Sequence, residues 1–390
     1  MSDQMTPIPF NQLFNWMITE YKNEQTIFGI HKSNFFFKKN SAPVKIFTEA
    51  LEMPLGPAAG PHTQLTQNII ASYLVGGRFF ELKTVQILDE LKVDKPCIDA
   101  QDEGYNVEWS QELKLEQSCD EYLKAWILLH MLKELFGFSK NAERGFVFNM
   151  SVGYNLEGIK TERMDNFIQN LKDSSYNEKF ILYKNQLITM LKDQNVRELI
   201  IQHINSNINF KKLISSVQNI SPNISNSVTL STMHGCPPEE IEAIAKYLIN
   251  EKGLHTYVKL NPTLLGYAKV TSILHQLGFN YIELNRASFE HDISFADAVP
   301  MLKRLQDYAK ENKRDFGVKL SNTLGVKNRK KVLAGDDMYM SGRSLFPLTI
   351  NVARLLAEEF CDELPMSFSG GATINNVQEI VDCGIAPVTL

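Results

Sequence analysis

The chain has no C-x-x-C or C-x-x-x-C pair. Its five cysteines, Cys97, Cys119, Cys236, Cys361 and Cys383, are odd in number and far apart. That spacing gives no local zinc or iron–sulfur signature, so no metal ligand set is predicted. It fits free thiols in a reducing cytoplasm. No apolar run approaches the roughly 18 residues that a membrane span needs, which predicts no membrane partner. The start, M-S-D-Q-M-T-P-I-P-F, lacks a basic end followed by an apolar core, so no export signal is read from it. Basic residues are not in excess: Lys and Arg number 40 against 45 Asp and Glu, a net charge of −5. A nucleic-acid partner would need the opposite balance. No G-x-G-x-x-G follows the first strand-like stretch, so an open doubly wound sheet with a dinucleotide site is unsupported.

What is present centres on Val228 to Tyr267. A β-branched run, Val228 to Thr232, breaks into a turn at Gly235. Pro237 and Pro238 sit where a first helical turn tolerates a missing N–H. Glu239 and Glu240 suit the positive end of a helix, and Ile241, Ile244, Ala245 and Leu248 recur at helical spacing. Gly253 stops that helix, and Tyr257 to Leu260 reads as a second buried strand. Parallel strands need such a crossover. Nine strand candidates start near Met53, Arg78, Phe146, Val228, Tyr257, Tyr281, Phe316, Pro365 and Ala386, and helices separate most of them. The alternation predicts a parallel sheet. Eight such units close a barrel of about 250 residues before insertions, so one candidate is surplus. The Phe316 stretch is the first choice for it and Tyr281 the second.

The predicted fold is therefore α/β, a TIM-type (β/α)8 barrel over 51–390, preceded by a helical cap over 1–50. Phe10, Leu13, Phe14, Met17 and Tyr21 form the cap's apolar stripe, and Phe35 to Phe37 are expected to dock it. Insertions are expected around 85–145 and 156–226, the second lysine-, asparagine- and serine-rich and read as mostly solvent-facing. In the first, a helix from Tyr122 to Phe136 carries Trp126 and His130 on one face, most simply as core. The last strand begins at Ala386 and the chain ends at Leu390, which predicts a barrel truncated in its last unit.

Parallel α/β folds place chemistry where strands end. Gly56, Ala58, Ala59 and Gly60 remove bulk after the first strand, either for a flat or charged ligand or for a crowded barrel end. Lys83 ends the second strand; a lone lysine there is more often a solvated charge. Asn149 is unusual inside a strand, and its buried amide must be met by core backbone or by a ligand. His234 and Cys236 share the loop before the Pro238 helix, whose N-terminus would lower a thiol pKa. Most single cysteines are inert, yet this one is placed to act as a nucleophile or a proton carrier. Lys259 ends the next strand. In S-F-S-G-G-A, Gly370 and Gly371 would let backbone N–H groups reach an oxyanion ahead of a helix expected over Thr373 to Cys383.

Several runs resemble the flavin-binding barrel of the dihydroorotate and dihydropyrimidine dehydrogenases: P-L-G-P-A-A-G-P-H-T, G-G-R-F-F-E-L-K-T, F-N-M-S-V-G-Y-N, H-G-C-P-P-E-E, V-K-L-N-P-T, M-S-G-R and S-G-G-A. More closely, they resemble the N-terminal part of large bacterial iron–sulfur flavoproteins described as selenate reductase subunits. The resemblance implies FMN in the barrel mouth. It implies that Ala59 and Gly60 back the flavin and that Lys83 and Thr84 contact it. Asn155 follows the third strand, at a Tyr-Asn that resembles that of the pyrimidine enzymes. Cys236 would be the acid that protonates substrate, and Lys259 would lie near the flavin's electron-rich edge. Ser341, Gly342, Gly370 and Gly371 would surround the phosphate. The family runs N-L-S-C-P where this chain runs S-T-M-H-G-C-P-P, so the cysteine loop is longer. Ser321-Asn322-Thr323 follows the suspected surplus strand. FAD, NADPH and 4Fe-4S clusters are implied only for regions beyond this chain.

The expected function is an oxidoreductase domain that exchanges hydride with a small conjugated heterocycle, with electron-donating domains or subunits as partners. A flavin-free barrel serving as scaffold in a larger electron-transfer assembly is the alternative. An aldolase-like barrel with Lys259 as a Schiff base is a poorer third.

Overall fold

The computed structural model describes residues 5–38, 43–88, 91–107, 109–138, 144–231 and 234–390. Thr232 and Met233, in the loop singled out above, lie outside the described residues. The chain divides into two compact units. The first comprises 1–83, 111–149 and 162–226, and the second 84–110, 150–161 and 227–390.

Eight strands belong to one sheet: β1 (Leu55–Gly56), β2 (Phe79–Glu81), β3 (Val147–Val152), β4 (Ser227–Leu230), β5 (His255–Leu260), β6 (Phe316–Leu320), β7 (Met366–Phe368) and β8 (Val388–Thr389). In the first unit β2 runs parallel to the first half of β3, with Phe80 opposite Phe148. The Arg78 N–H donates to the Leu55 carbonyl at 2.8 Å, which lays β1 along β2. In the second unit the rest of β3 pairs with β4, and β4 to β8 follow in order, all parallel. These strands are buried almost throughout, so they read as continuous apolar runs.

The structure corrects the choice of surplus strand. Phe316–Leu320 is β6, paired with β5 on one side and β7 on the other. The Tyr281 stretch forms no strand and makes only a bridge from Leu284 to Val326. Its apolar residues Ile282 and Leu284 pack into a separate cluster with Val270, Leu324, Val326 and Met340. A small antiparallel sheet, Leu324–Lys327, Asp337–Met340, Tyr105–Asn106 and Ile98–Asp99, belongs to that inserted part of the second unit.

Helix α1 (Phe10–Glu24) buries Phe10, Leu13, Phe14, Met17 and Tyr21, the stripe expected from sequence. Phe10 stacks on Tyr183 at 4.8 Å, and Phe35 packs edge-on against Phe136 and Phe138. The middle of the first unit is α2 (Leu115–Phe136), buried on most sides and ended by Gly137 in the left-handed region (φ 66°). The 156–226 segment is mostly exposed or half-buried, as its composition indicated. After the short helix Leu156–Ile159 come the helices Glu162–Lys172, Glu178–Lys192, Gln194–His203 and Phe210–Gln218. Some of its polar residues also do local work. Asn177, Asp193 and Asn209 cap the last three helices by accepting N–H groups of the first turn.

His130, on α2, meets Trp126 at 4.9 Å and Phe146 at 5.2 Å, as the core reading expects. Burial, with the charges of Arg144 and Lys133, holds its pKa down at about 3. An unfolded histidine binds its proton near 6.5. The stability associated with the neutral ring is therefore whole above pH 6.5 and drains as the pH falls toward 3, by about 1.4 kcal/mol per unit. His130→Phe should flatten that dependence. Urea midpoints at about pH 7 and about pH 4.5 should separate further for the wild type than for the variant. Equal separations would mean that the ring is charged or solvated in the folded state.

Candidate functional site

The first unit contributes the loop after β1 and the end of β2. Gly60 opens a tight turn in which its N–H donates to Thr63 Oγ1 at 3.1 Å. A Cβ on Gly60 would lie 2.6 Å from the His62 ring, which would have to turn aside to admit it. Ala59 beside it is half-buried. Lys83 is buried, and its charge joins desolvation in pulling the His62 pKa below its usual value. The structure thus associates Lys83 with the Gly60 turn through His62. The lysine is not the solvated surface charge that strand-end statistics favour. Asn149 is fully buried in β3, and its carbonyl accepts the Leu82 N–H at 3.0 Å.

In the second unit, the Thr84 and Ser151 hydroxyls share a hydrogen bond of 2.7 Å. Asn155 is exposed, and its Oδ1 accepts the Gly158 N–H at 2.8 Å. Its side-chain oxygen is committed to a helix cap. The loop after β4 leads into α3 (Pro238–Lys246), with Pro237 as N-cap and Glu239 and Glu240 in the first turn, as the sequence indicated. Cys236 is half-buried just ahead of it.

His234 is the most connected member of that loop. Its Nδ1 lies 3.2 Å from Asp292 Oδ2 and 3.3 Å from Asn261 Nδ2. Its ring stacks on Tyr339 at 5.4 Å with planes 25° apart. Asp292 also accepts the Gly235 N–H at 2.8 Å and the Thr263 hydroxyl at 2.8 Å. Burial works to raise the Asp292 pKa. The hydrogen bond and charge of His234 and the Gly235 and Thr263 donors outweigh it and hold the carboxyl below its ordinary value. Lys259, half-buried, lies at the end of β5, opposite Lys319 in the register. Lys319 is buried, with its Nζ 2.9 Å from Thr389 Oγ1 and 3.3 Å from Ser367 Oγ.

The structure brings the two predicted glycine loops together. A Cβ on Gly371, whose φ is +78°, would lie 2.5 Å from the Phe346 nitrogen and 3.0 Å from the Gly342 carbonyl oxygen. On Gly370 it would meet Thr349 Oγ1 at 2.1 Å, and on Gly342 the Glu103 carbonyl at 1.9 Å. Several amides here are already engaged. The Ser341 and Gly342 N–H groups both donate to the Gly104 carbonyl, and Gly370 donates to Leu320. The Gly371 and Ala372 N–H groups meet no acceptor among the described residues. The expected helix from Thr373 starts later, at Val377, and covers only six residues. Asn376 accounts for the delay: its Oδ1 accepts the Thr373 N–H at 2.7 Å and its Nδ2 donates to the Gly371 carbonyl. The glycine turn is therefore not the N-terminus of a helix.

Residues 28–390 match the family described as oxidoreductase YgfK, N-terminal TIM-barrel domain. The chain belongs to this family. The barrel expected from strand and helix alternation is thereby borne out. The chain is 51% identical over 394 residues to YgfK of Escherichia coli strain K12, and equally to that of E. coli O157:H7. Each alignment covers 100% of this chain and 37% of the relative. The chain thus spans little more than a third of the YgfK proteins. Among solved structures, it is similar to ligand-free DHODH from Eimeria tenella at 14% identity and a TM-score of 0.46, covering 97% of this chain and 88% of that one. The DHODH–ferulenol complex from the same organism gives 12% identity and a TM-score of 0.44, covering 99% and 87%.

Asp292, Asn261, Thr263, Tyr339 and His62 were not found by sequence reasoning. His62 lies inside the P-A-A-G-P-H-T run, which was a usable signal. Asp292 is 58 residues from His234, and no local pattern links them.

Proposed function

We propose that this YgfK-family domain is a flavin-dependent oxidoreductase domain and that the phosphate of FMN is held at the Gly371–Ala372 turn. The observation that carries the reading is that turn. Its two adjacent N–H groups meet no acceptor among the described residues, and backbone leaves no room for a Cβ on Gly371. Successive amides of this kind make a concavity for an anion. Ser341 and Gly342 form the neighbouring wall, with their own N–H groups tied back to Gly104. Bound FMN would supply hydride exchange with a small conjugated substrate. Lys259 would supply positive charge at the end of β5, and Cys236, with His234, would hold or deliver the proton that such a reduction requires. Thr84 and Asn155, in the same unit as this turn, would contact the flavin by resemblance. A conjugated heterocycle suits this chemistry better than selenate, whose reduction is the finer role implied by resemblance. FAD, NADPH and iron–sulfur clusters, which the resemblance implies, would belong to regions of the longer relatives that this chain does not span.

A flavin-free scaffold is the second reading. It is favoured by the Ser341, Gly342 and Gly370 amides being spent on protein carbonyls. Titration with FMN, followed by quenching of its fluorescence, separates the two. The wild type should bind, and Gly371→Val should weaken binding at least about tenfold, a loss of about 1.4 kcal/mol. Gly278→Val is the control. Gly278 also has a positive φ, +86°, but has open space around it. It should cost stability and spare affinity. A wild type that ignores FMN would remove the flavin reading.

A further inference from the structure

The loop that carries His234 is tied to a residue from a different part of the second unit. Asp292 sits between the short helix Arg286–His291 and the helix Phe295–Glu311, within the segment separating β5 from β6. We propose that Asp292 is the positioning residue that fixes His234 with its proton on Nδ1, leaving Nε2 as the atom that takes up and returns a proton. This rests on the reading above that the 231–237 loop serves the reacting group.

Among the described residues, Asp292 and Asn261 both lie at Nδ1, and they require opposite placements of the proton. A carboxylate only accepts, whereas an amide nitrogen only donates. Asp292 at 3.2 Å would receive a proton from Nδ1, while Asn261 Nδ2 at 3.3 Å would give one to it. The carboxylate wins for two reasons. Its hydrogen bond is charge-assisted and roughly twice as strong as a neutral one. It is also held in place on both oxygens, Oδ1 by the Gly235 N–H and Oδ2 by the Thr263 hydroxyl. The Asn261 amide can present its oxygen or turn aside, since its two ends are distinguished only by the network around them. Once the proton is on Nδ1, the lone pair is on Nε2. A proton arriving there makes an imidazolium whose charge Asp292 balances directly. The Tyr339 ring fixes the imidazole plane, so the carboxylate and the stacked ring together leave it little freedom.

Asp292 ties the histidine and the backbone of its own loop to a single anchor. It accepts from Gly235 and from His234, consecutive residues just before Cys236. Loss of the carboxylate should therefore change where the proton resides as well as how the loop is held. The first effect can be read without substrate or flavin.

The test is long-range 1H–15N spectroscopy of labelled protein at a pH where the ring is neutral, with His234→Gln identifying the resonances. The wild type should show a protonated Nδ1 and a bare Nε2. Asp292→Asn should shift the proton to Nε2 or leave the two forms comparably populated, whereas Thr263→Val, which keeps the carboxylate, should preserve the wild-type pattern. A wild-type ring protonated on Nε2 overturns the proposal, as does an Asp292→Asn ring that stays protonated on Nδ1. If Asp292→Asn does not fold, the wild-type spectrum still decides. Failure of FMN to bind would leave these spectra unchanged, so the two readings fail separately.

Discussion

Glu121→Ala should destabilise the protein by about 3 kcal/mol, the lower end of the cost of stripping one partner from a buried ion pair. Glu121 is fully buried on α2 and is paired with Lys124, itself 2% exposed. The same carboxylate accepts the Thr66 N–H at 2.7 Å and the Thr66 hydroxyl at 2.8 Å. Removing it takes the nearest carboxylate from a buried ammonium and the side-chain acceptor from the Thr66 amide, while the Thr66 hydroxyl keeps the Glu121 carbonyl at 2.9 Å. The loss stays at the lower end because Lys124 keeps the Ile8 carbonyl at 2.8 Å and has Asp120 at 3.6 Å. Urea unfolding of the variant beside Glu121→Ala/Lys124→Met measures this. The double variant should recover part of the loss, since no charge is then left unpaired. A single variant within about 0.5 kcal/mol of wild type, the range of ordinary surface changes, would mean that water reaches the pair.

The second large effect concerns Cys236. If the thiol handles a proton, Cys236→Ala should lower turnover by about 10²- to 10⁴-fold while leaving FMN affinity in place. Stopped-flow absorbance of the flavin on mixing with a reduced heterocycle, beside an FMN titration, reads both quantities. Equal losses in the two would make Cys236 a packing residue of the loop. Unchanged turnover would assign proton delivery elsewhere, with His234 the first candidate.

What the sequence could and could not show follows from how local each signal is. The strand–loop–helix–strand unit around Val228 to Leu260 was legible because β-branched runs, Pro237-Pro238 and the Glu pair all act within a few residues. The α1 stripe was legible for the same reason. Choosing between the Phe316 and Tyr281 stretches was not possible locally. Both are short apolar runs, and only tertiary packing reveals that Ile282 and Leu284 fill the inserted cluster while Phe316–Leu320 joins the sheet. With β6 assigned, Ser321-Asn322-Thr323 follows a strand of the eight-stranded sheet and not a surplus one. The polar composition of 156–226 indicated a largely solvent-facing segment, and most of its residues are exposed or half-buried. The delayed helix after Gly371 turned on one side chain, Asn376. The Asp292 anchor depends on an approach across 58 residues, which no spacing rule encodes.

The five free sulfurs sit in unlike surroundings. Cys361 and Cys383 are exposed, Cys97 and Cys236 half-buried, and Cys119 buried with its pKa pushed up to about 12, chiefly by burial. Electrophilic labels therefore reach the two surface positions before the loop thiol. Probing the nucleophilicity of Cys236 in isolation calls for a Cys97→Ser, Cys361→Ser, Cys383→Ser background, because Cys97 is as accessible as Cys236.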